Sequence, residues 1–460
     1  MAQNKPYYLV VGLGKTGVSC VNFLRARNIA VKVTDSRLSP PELDSVRGLV
    51  SDENISLGGF DYSLIAGASK VIVSPGIAMN DPFVQKAIDC GKEVVGDIQV
   101  FSDHRQNPMV GITGANAKST VCSLVRDMLV SAGKITALGG NIGVPALDLL
   151  GSEADEADVF VLELSSFQLE TVRDLPLQVG SILNISPDHM DRYESLADYV
   201  KAKQNIYKNA RTLVVNREDR ATYPEVLTDE QTLISFGMDA PESNHFGIRE
   251  IDGARYFVHG QKSLLAVNDA KLRGAHNYSN ILAAFCICEG IGVDLDKASD
   301  AVKEFAGLPH RCEWVGCFDR VDWINDSKGT NVGATLAAIE GFQSETSGEI
   351  HLILGGVAKG ADFSPLADAL SDQIGSIFLY GEDALAIQSC LDQREKGSVS
   401  CVQVQSLSEA VNRAKQVALE GDLVLFSPAC ASFDMFDDFE HRGNAFKQWV
   451  NELQGGTLNE

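Results

Sequence analysis

Gly111-Ile-Thr-Gly-Ala-Asn-Ala-Lys-Ser-Thr120 decides how the rest of this chain is read. Its approach is short, apolar and β-prone (Met109, Val110, Ile112). Its exit, Val121-Cys-Ser-Leu-Val-Arg-Asp-Met-Leu-Val130, spaces apolar residues as an amphipathic helix does. A strand, a Gly-rich turn, Lys-Ser and a helix together make a grip for a polyphosphate. Backbone N–H groups and the helix N-terminus hold the phosphates, the lysine neutralises them, and the hydroxyl reaches Mg²⁺. The layout predicts an ATP site. One position departs from the pattern G-x-x-x-x-G-K-[ST], because Ala117 stands where glycine is expected. A need for positive φ there would strain the alanine; a need for mere smallness would not.

The remainder of the chain bounds what such a site serves. A length of 460 residues predicts about two to four domains. The 39 Lys and Arg against 62 Asp and Glu give a net charge of −23, which argues against nucleic-acid or anionic-membrane binding. Any anionic substrate must therefore be held by local cations and N–H groups. The opening Met1-Ala-Gln-Asn-Lys-Pro6 does not read as a secretory signal, and no apolar run of about 18 residues predicts a membrane span. Ten cysteines lie scattered, without metal-ligand spacing, and read as reduced thiols of a cytoplasmic protein.

Upstream of the loop, strand Tyr7-Tyr-Leu-Val-Val11 runs into Gly12-Leu-Gly14-Lys-Thr-Gly17, a helix to about residue 27, strand Ala30-Val-Lys-Val-Thr34 and then Asp35. That is the full dinucleotide-binding context rather than a lone motif. Further strands are expected at 70–74 and 93–96, and beyond the loop at 158–164, 180–185 and 212–216. The stretch 230–270 reads as a small antiparallel insertion or flap, and residues 305–310 as a linker. Past it, strands at 349–354, 376–380 and 422–426 alternate with helices near 331–341, 407–419 and 441–453. The expected class is α/β in three domains, each on a mostly parallel sheet: Rossmann-like at 1–96, a P-loop-type ATPase at 97–306, and Rossmann-like at 307–460.

Three residues near the loop carry chemistry. Glu163 ends an apolar strand, where ligands of parallel sheets bind, and is placed to share Mg²⁺ with Ser119. His189, in Pro187-Asp-His-Met-Asp191, follows the next strand at the same edge. Lys203 sits in a helix expected over 196–209, with Tyr199, Val200, Ile206 and Tyr207 as its neighbours three and four positions away, so it points inward. Two readings stand: a snorkelling lysine covering apolar surface, or a buried neutral amine able to take up CO₂ as a carbamate.

Leu162-Glu-Leu-Ser-Ser-Phe-Gln168, Asn184-Ile-Ser-Pro-Asp-His-Met-Asp-Arg192, Gly274-Ala-His-Asn277-Tyr-Ser-Asn280, Leu308-Pro-His-Arg311, Asn325-Asp-Ser-Lys-Gly-Thr-Asn331 and Ser427-Pro-Ala-Cys-Ala-Ser432 follow the loop in this order. With them the chain resembles, over essentially its full length, the Mur ligases of peptidoglycan synthesis, and within them the branch that joins D-glutamate to UDP-N-acetylmuramoyl-L-alanine. The resemblance implies an ATP-dependent amide ligase of the cytoplasm, monomeric, working through an acyl phosphate. It implies ATP held by Gly114, Asn116, Lys118, Ser119, Thr120, Asn277, Asn280, Arg311 and Asp326. One Mg²⁺ falls to Ser119 and Glu163, and a second to His189 and carbamylated Lys203, with Lys118, His189 and Lys203 catalytic. Lys15, Thr16, Ser36, Arg37, Ser74, Asn141 and His189 grip the UDP substrate. Thr330, Lys359, Ser432, Phe433 and Phe439 take D-glutamate, although Lys328 and Lys359 also read as plain surface lysines and Phe439 as core.

Three rival readings remain. A nicotinamide-dependent dehydrogenase accounts for Gly12, Gly14, Gly17 and Asp35 but leaves the 111–120 loop, Glu163 and Lys203 without a role. A folylpolyglutamate synthase-like ligase lacks the N-terminal nucleotide-type segment at this place. A non-catalytic scaffold has no use for Lys118, Glu163, His189 and Lys203 together.

Overall fold

The structure, a computed structural model, describes residues 6–151, 156–190, 192–343, 346–393 and 399–455. Asp191, in the motif around His189, lies outside them. Among the described residues the strands form three sheets. The first takes the order Ile55–Leu57, Val31–Asp35, Tyr7–Val11, Ala68–Val73, Glu93–Val95, and every pairing in it is parallel. Crossover helices such as Lys15–Ala26 are what such pairing requires. Gly17 opens that helix against the preceding turn, and a Cβ there would sit 2.0 Å from the Gly12 carbonyl oxygen, so only glycine lets the helix begin so close.

In the second sheet Met109–Thr113 is interior, flanked by Val159–Glu163 on one side and Val179–Ile182 on the other, all parallel. Its residues are buried throughout, as a strand covered on both faces must be. Thr136–Gly140 closes one edge. Beyond Val179–Ile182 come Thr212–Asn216 and Thr232–Phe236, then Phe246–Ile251, Ala254–His259 and Lys262–Ala266. The last three are an antiparallel meander, as expected of the insertion or flap over 230–270, and they prolong the main sheet. The expected helix at 196–209 is an α-helix only over Leu196–Gln204, tightening to a 3₁₀ turn at Asn205–Tyr207.

The third sheet runs Glu313–Phe318, Val321–Asn325, Leu423–Phe426, Ile350–Gly355, Ile374–Tyr380, Ser400–Gln403. It is parallel except for its first pair, an antiparallel edge hairpin that the doubly wound reading lacked.

The chain forms two compact units, one of residues up to Ala266 with Ile281–Val302, the other of Val267–Asn280 with residues from Lys303 onward. In the first unit one apolar core runs from Val10 and Phe23 through Phe101 and Phe160 to Leu213, so its two sheets share packing, and a further cluster surrounds Leu9 and Phe83. The second carries apolar clusters around Leu352 and around Trp323 and Phe446.

Candidate active site

The loop after Met109–Thr113 is held in shape by the neighbouring strand's exit. Ala115 N–H donates to the Asn184 carbonyl (3.0 Å) and Asn116 N–H to Asn184 Oδ1 (2.8 Å). Ala117, at the N-cap of helix Lys118–Ser131, has φ +63° and ψ −1°. The position does require a left-handed backbone, so the alanine is strained. Lys118 folds over the loop and donates from Nζ to the carbonyls of Gly114 (3.0 Å) and Ala115 (2.8 Å). Ser119 and Thr120 are buried in the first turn of the helix.

Ser119 Oγ donates to Glu163 Oε2 at 2.7 Å, and Asn141 Nδ2 donates to Glu163 Oε1 at 2.8 Å. A hydroxyl and a carboxylate side by side on a phosphate loop are the hard oxygen donors that Mg²⁺ takes, so this pair fits a divalent cation. Lys203 has 2 % of its surface exposed. Its Nζ donates to the Gly114 carbonyl at 2.8 Å and to Thr113 Oγ1 at 3.3 Å, and lies 4.6 Å from the centre of the Tyr199 ring. Two lysines thus share one carbonyl oxygen, and the structure answers the question of direction: Lys203 points inward and does not snorkel. Burial, and after it the Lys118 charge, push the Lys203 amine far below its usual range. His189 takes φ +56° and is half exposed; its ring packs tilted against Phe167 with centroids 4.9 Å apart, and its Nε2 lies 3.7 Å from Asp188. Among the described residues no group of three or more His, Cys, Asp or Glu could hold a metal alone.

At the carboxyl edge of the first sheet, Asp35 accepts from Leu13 N–H (2.6 Å) and from Arg37 N–H, Nε and Nη2 (2.8, 2.9 and 2.7 Å). Burial alone would raise its carboxyl; the hydrogen bonds from Arg37 and Leu13 outweigh it and hold it below the usual range. Both oxygens are occupied within the protein, which removes the ribose-binding acid that the dehydrogenase reading needs. Ser74 Oγ donates to the Gly12 carbonyl at 2.9 Å, while Lys15 and Ser36 are exposed and Thr16 half-buried around the same loop.

In the second unit Asn277 Nδ2 donates to the Arg273 carbonyl (2.7 Å), and Asn280 Nδ2 to Asn277 Oδ1 (3.1 Å). Asp326 is buried at a strand end, accepting from Ser427 Oγ (2.6 Å) and Cys312 N–H (3.1 Å), and burial raises its carboxyl to about 6. Arg311 precedes Cys312 and is half-buried. A bridge between Val357 and Ala431 draws the Lys359 loop to the Ser432 loop. There Lys359 Nζ lies 5.1 Å from the Phe433 ring centre, Ser432 is buried and Phe433 is 64 % exposed. Lys328 Nζ stands 4.0 Å over the Phe439 ring, with Thr330 just beyond. Lys328 and Phe439 thus lie in contact, with Phe439 partly buried.

Three family profiles divide the chain between them: "Mur ligase MurD-like, N-terminal domain" over residues 7–96, "Mur ligase middle domain" over 112–288 and "Mur ligase, glutamate ligase domain" over 310–430. The chain belongs to the Mur ligases. Enzymes named UDP-N-acetylmuramoylalanine--D-glutamate ligase from Pseudomonas putida and Pseudomonas aeruginosa are 44 % identical to this Mur ligase over 447 residues, 97 % of this chain and 98 % of theirs. The MurF ligase of Thermotoga maritima, solved with ADP, shares its fold with TM-score 0.62 at 14 % identity, over 98 % of this chain and 97 % of that one. Two residues of this Mur ligase escaped the sequence reading. Asn184 shapes the loop, and a polar residue at the end of an apolar strand beside a phosphate grip was its available signal. Arg192 donates to the carbonyls of Pro75 (3.4 Å) and Ile77 (3.1 Å) and pairs with Glu170 (3.2 Å), joining segments far apart in sequence. No local pattern marks such a tie.

Proposed function

We propose that this Mur ligase uses ATP to join the carboxylate of UDP-N-acetylmuramoyl-L-alanine to the amino group of D-glutamate, giving ADP and phosphate. The near-full-length identity to D-glutamate ligases supports the substrates. The observation that carries the chemistry is the shared Gly114 carbonyl, which sets a cationic Lys118 and a buried Lys203 on one phosphate loop beside Ser119 and Glu163.

A carboxylate is a poor electrophile. Its oxygen attacks the γ-phosphorus of ATP, ADP leaves, and the acyl phosphate that forms has a good leaving group. The D-glutamate amine then adds to the acyl carbon, loses a proton, and phosphate departs. Positioning and charge neutralisation carry such a transfer. Lys118 exchanges its loop carbonyls for phosphate oxygens, and the loop N–H groups with Asn116 and Thr120 cradle the chain of phosphates. Gly114 gives the loop room. Asn277 and Asn280 face the adenine, and Arg311 and Asp326 the phosphate and ribose. Ser119 and Glu163 would hold one Mg²⁺; His189 and a carbamate of Lys203, made from its neutral amine and CO₂ with release of a proton, would hold a second. Such ions would supply neutralisation of the phosphate charge. Lys15, Thr16, Ser36, Arg37, Ser74 and Asn141 take the UDP substrate, and Thr330, Lys359, Ser432, Phe433 and Phe439 take D-glutamate. Residues 1–96, 97–306 and 307–460 divide these three tasks, in a cytoplasmic monomer.

Phosphate release is measured with ATP, UDP-N-acetylmuramoyl-L-alanine and a panel of D- and L-amino acids. Release with D-glutamate alone is expected. Equal release with L-glutamate, or none with any amine, overturns the reading. Lys203→Ala is expected to lower turnover by about 10²-fold or more, the scale of a lost electrostatic group at a reacting centre, with folding intact by circular dichroism.

A further inference from the structure

The second unit holds a cavity of about 720 Å³ beside its antiparallel edge strand. It runs from the strand starts at Asp322 and Leu423 to Cys312 and Glu313, next to the strand end that Asp326 follows, and is bounded by the segments carrying Arg273 and Leu308. Its volume is that of sites for small organic molecules. Its walls mix polar and apolar groups, and Leu308, Phe342 and Trp314 supply apolar surface.

Charge decides what class of molecule it suits. Each of its acids accepts a hydrogen bond within the protein, Asp322 being itself exposed. Glu313 pairs with Lys447 (2.9 Å) and accepts from His310 N–H (2.9 Å). Asp422 accepts from the N–H groups of Leu419 (2.7 Å) and Glu349 (2.8 Å), and Asp322 from the Trp314 indole (3.0 Å). Of its cations, Lys271 is paired with Glu304. The exposed Arg273 guanidinium makes one hydrogen bond among the described residues, from Nη2 to the Asn268 carbonyl at 3.1 Å, and no ion pair. Thr346 Oγ1, on the cavity wall, is buried with no hydrogen-bond partner among the described residues. A buried polar atom of that kind is costly unless something meets it.

We propose that this cavity is a second small-molecule site, taking an organic anion with an apolar body (an aromatic or branched aliphatic carboxylate or sulfonate) whose head meets Arg273 and whose body lies against Leu308 and Phe342. It is separate from the substrates' own residues and touches them at one point. Cys312 lines it, and the Cys312 N–H holds Asp326.

The probe is 8-anilinonaphthalene-1-sulfonate, an aromatic sulfonate, titrated by fluorescence into the full chain with a saturating non-hydrolysable ATP analogue present. Saturable binding of one equivalent is expected, with slower labelling of Cys312 by a thiol reagent, located by mass spectrometry. Arg273→Glu is expected to weaken binding about tenfold, the loss of one charge-assisted contact. Ala306→Trp, which puts an indole at the mouth, is expected to abolish it. Both positions are exposed, so melting temperature and ligase turnover without the probe stay unchanged. The proposal is overturned if the probe does not bind, if the ATP analogue displaces it, or if neither substitution alters its binding.

Discussion

At the scale of single residues, Ala117 is a defect with a direction. An L-residue with a Cβ at φ +63° costs about 1 kcal/mol or more, and glycine there costs less although it gives the unfolded chain extra freedom. Ala117→Gly is therefore expected to raise stability by roughly 0.5–1 kcal/mol, read from the urea midpoint; a lower midpoint would show that the strain lies elsewhere. His276 makes a second case. Both of its ring nitrogens are buried with no hydrogen-bond partner, Gly341 packs so close that a Cβ would stand 2.0 Å from Nδ1, and burial lowers its pKa to about 4. In the unfolded chain the same ring titrates near ~6.5. Between those values the unfolded state binds the extra proton, so stability falls as pH drops through this window and is unaffected by His276 above it, with a slope of up to about 1.4 kcal/mol per pH unit. His276→Gln is expected to flatten that part of the pH–stability curve, whatever it does to the plateau. How far such residues could be read beforehand follows from reach. Lys203 was legible because its four helical neighbours are all apolar, and a helix fixes who those neighbours are. The tie of Asp35 to Leu13 and Arg37 was not, because spacing alone gave Asp35 the look of a ribose ligand, and only the folded turn shows both oxygens taken.

At the scale of elements, parallel strands with helices between them announce themselves, since buried apolar runs of four to seven residues alternate with amphipathic stretches. The edge hairpin Glu313–Phe318 and Val321–Asn325 did not, and its turn explains why. Asp319 and Arg320 both take positive φ (54° and 63°), the two-residue turn that matches strand twist and that Asn-Gly or Asp-Gly ordinarily signals. Arginine in that place gives no such signal. Its cost is partly offset by the exposed pair with Glu420, worth little in water. Arg320→Gly is thus expected to raise stability by a few tenths to about 1 kcal/mol, since relief of the left-handed arginine exceeds the loss of one surface ion pair. A thermal midpoint lowered by the change would mean that the Glu420 pair, and not the turn, holds this edge. The meander 246–266 reads as antiparallel, as it is, but its place in the main sheet is hidden for a related reason. Short antiparallel strands look alike whether they stand apart or prolong a sheet, and the difference rests on Phe236 pairing with Phe246.

At the scale of the whole molecule, a net charge of −23 works against a site built to collect anions. ATP, the UDP-linked substrate and D-glutamate all approach a negative body, and in the proposed site a few local cations hold them, Lys118 on the loop and Arg37 and Lys15 at the first sheet among them. The two fields have different ranges. The long-range repulsion comes from charges spread over the surface and is cut as the Debye length shortens from ~30 Å at 0.01 M salt to ~8 Å at 0.15 M. Contacts between a phosphate and a lysine a few ångströms away are screened much less. Raising the concentration of an inert salt such as tetramethylammonium chloride over that interval, at saturating Mg²⁺, is therefore expected to increase kcat/KM for the UDP substrate and to leave kcat nearly unchanged. Steady decline of kcat/KM across the same interval would mean that the local cations already govern the approach from a distance, and that the surface carboxylates are too remote from the site to matter to its substrates.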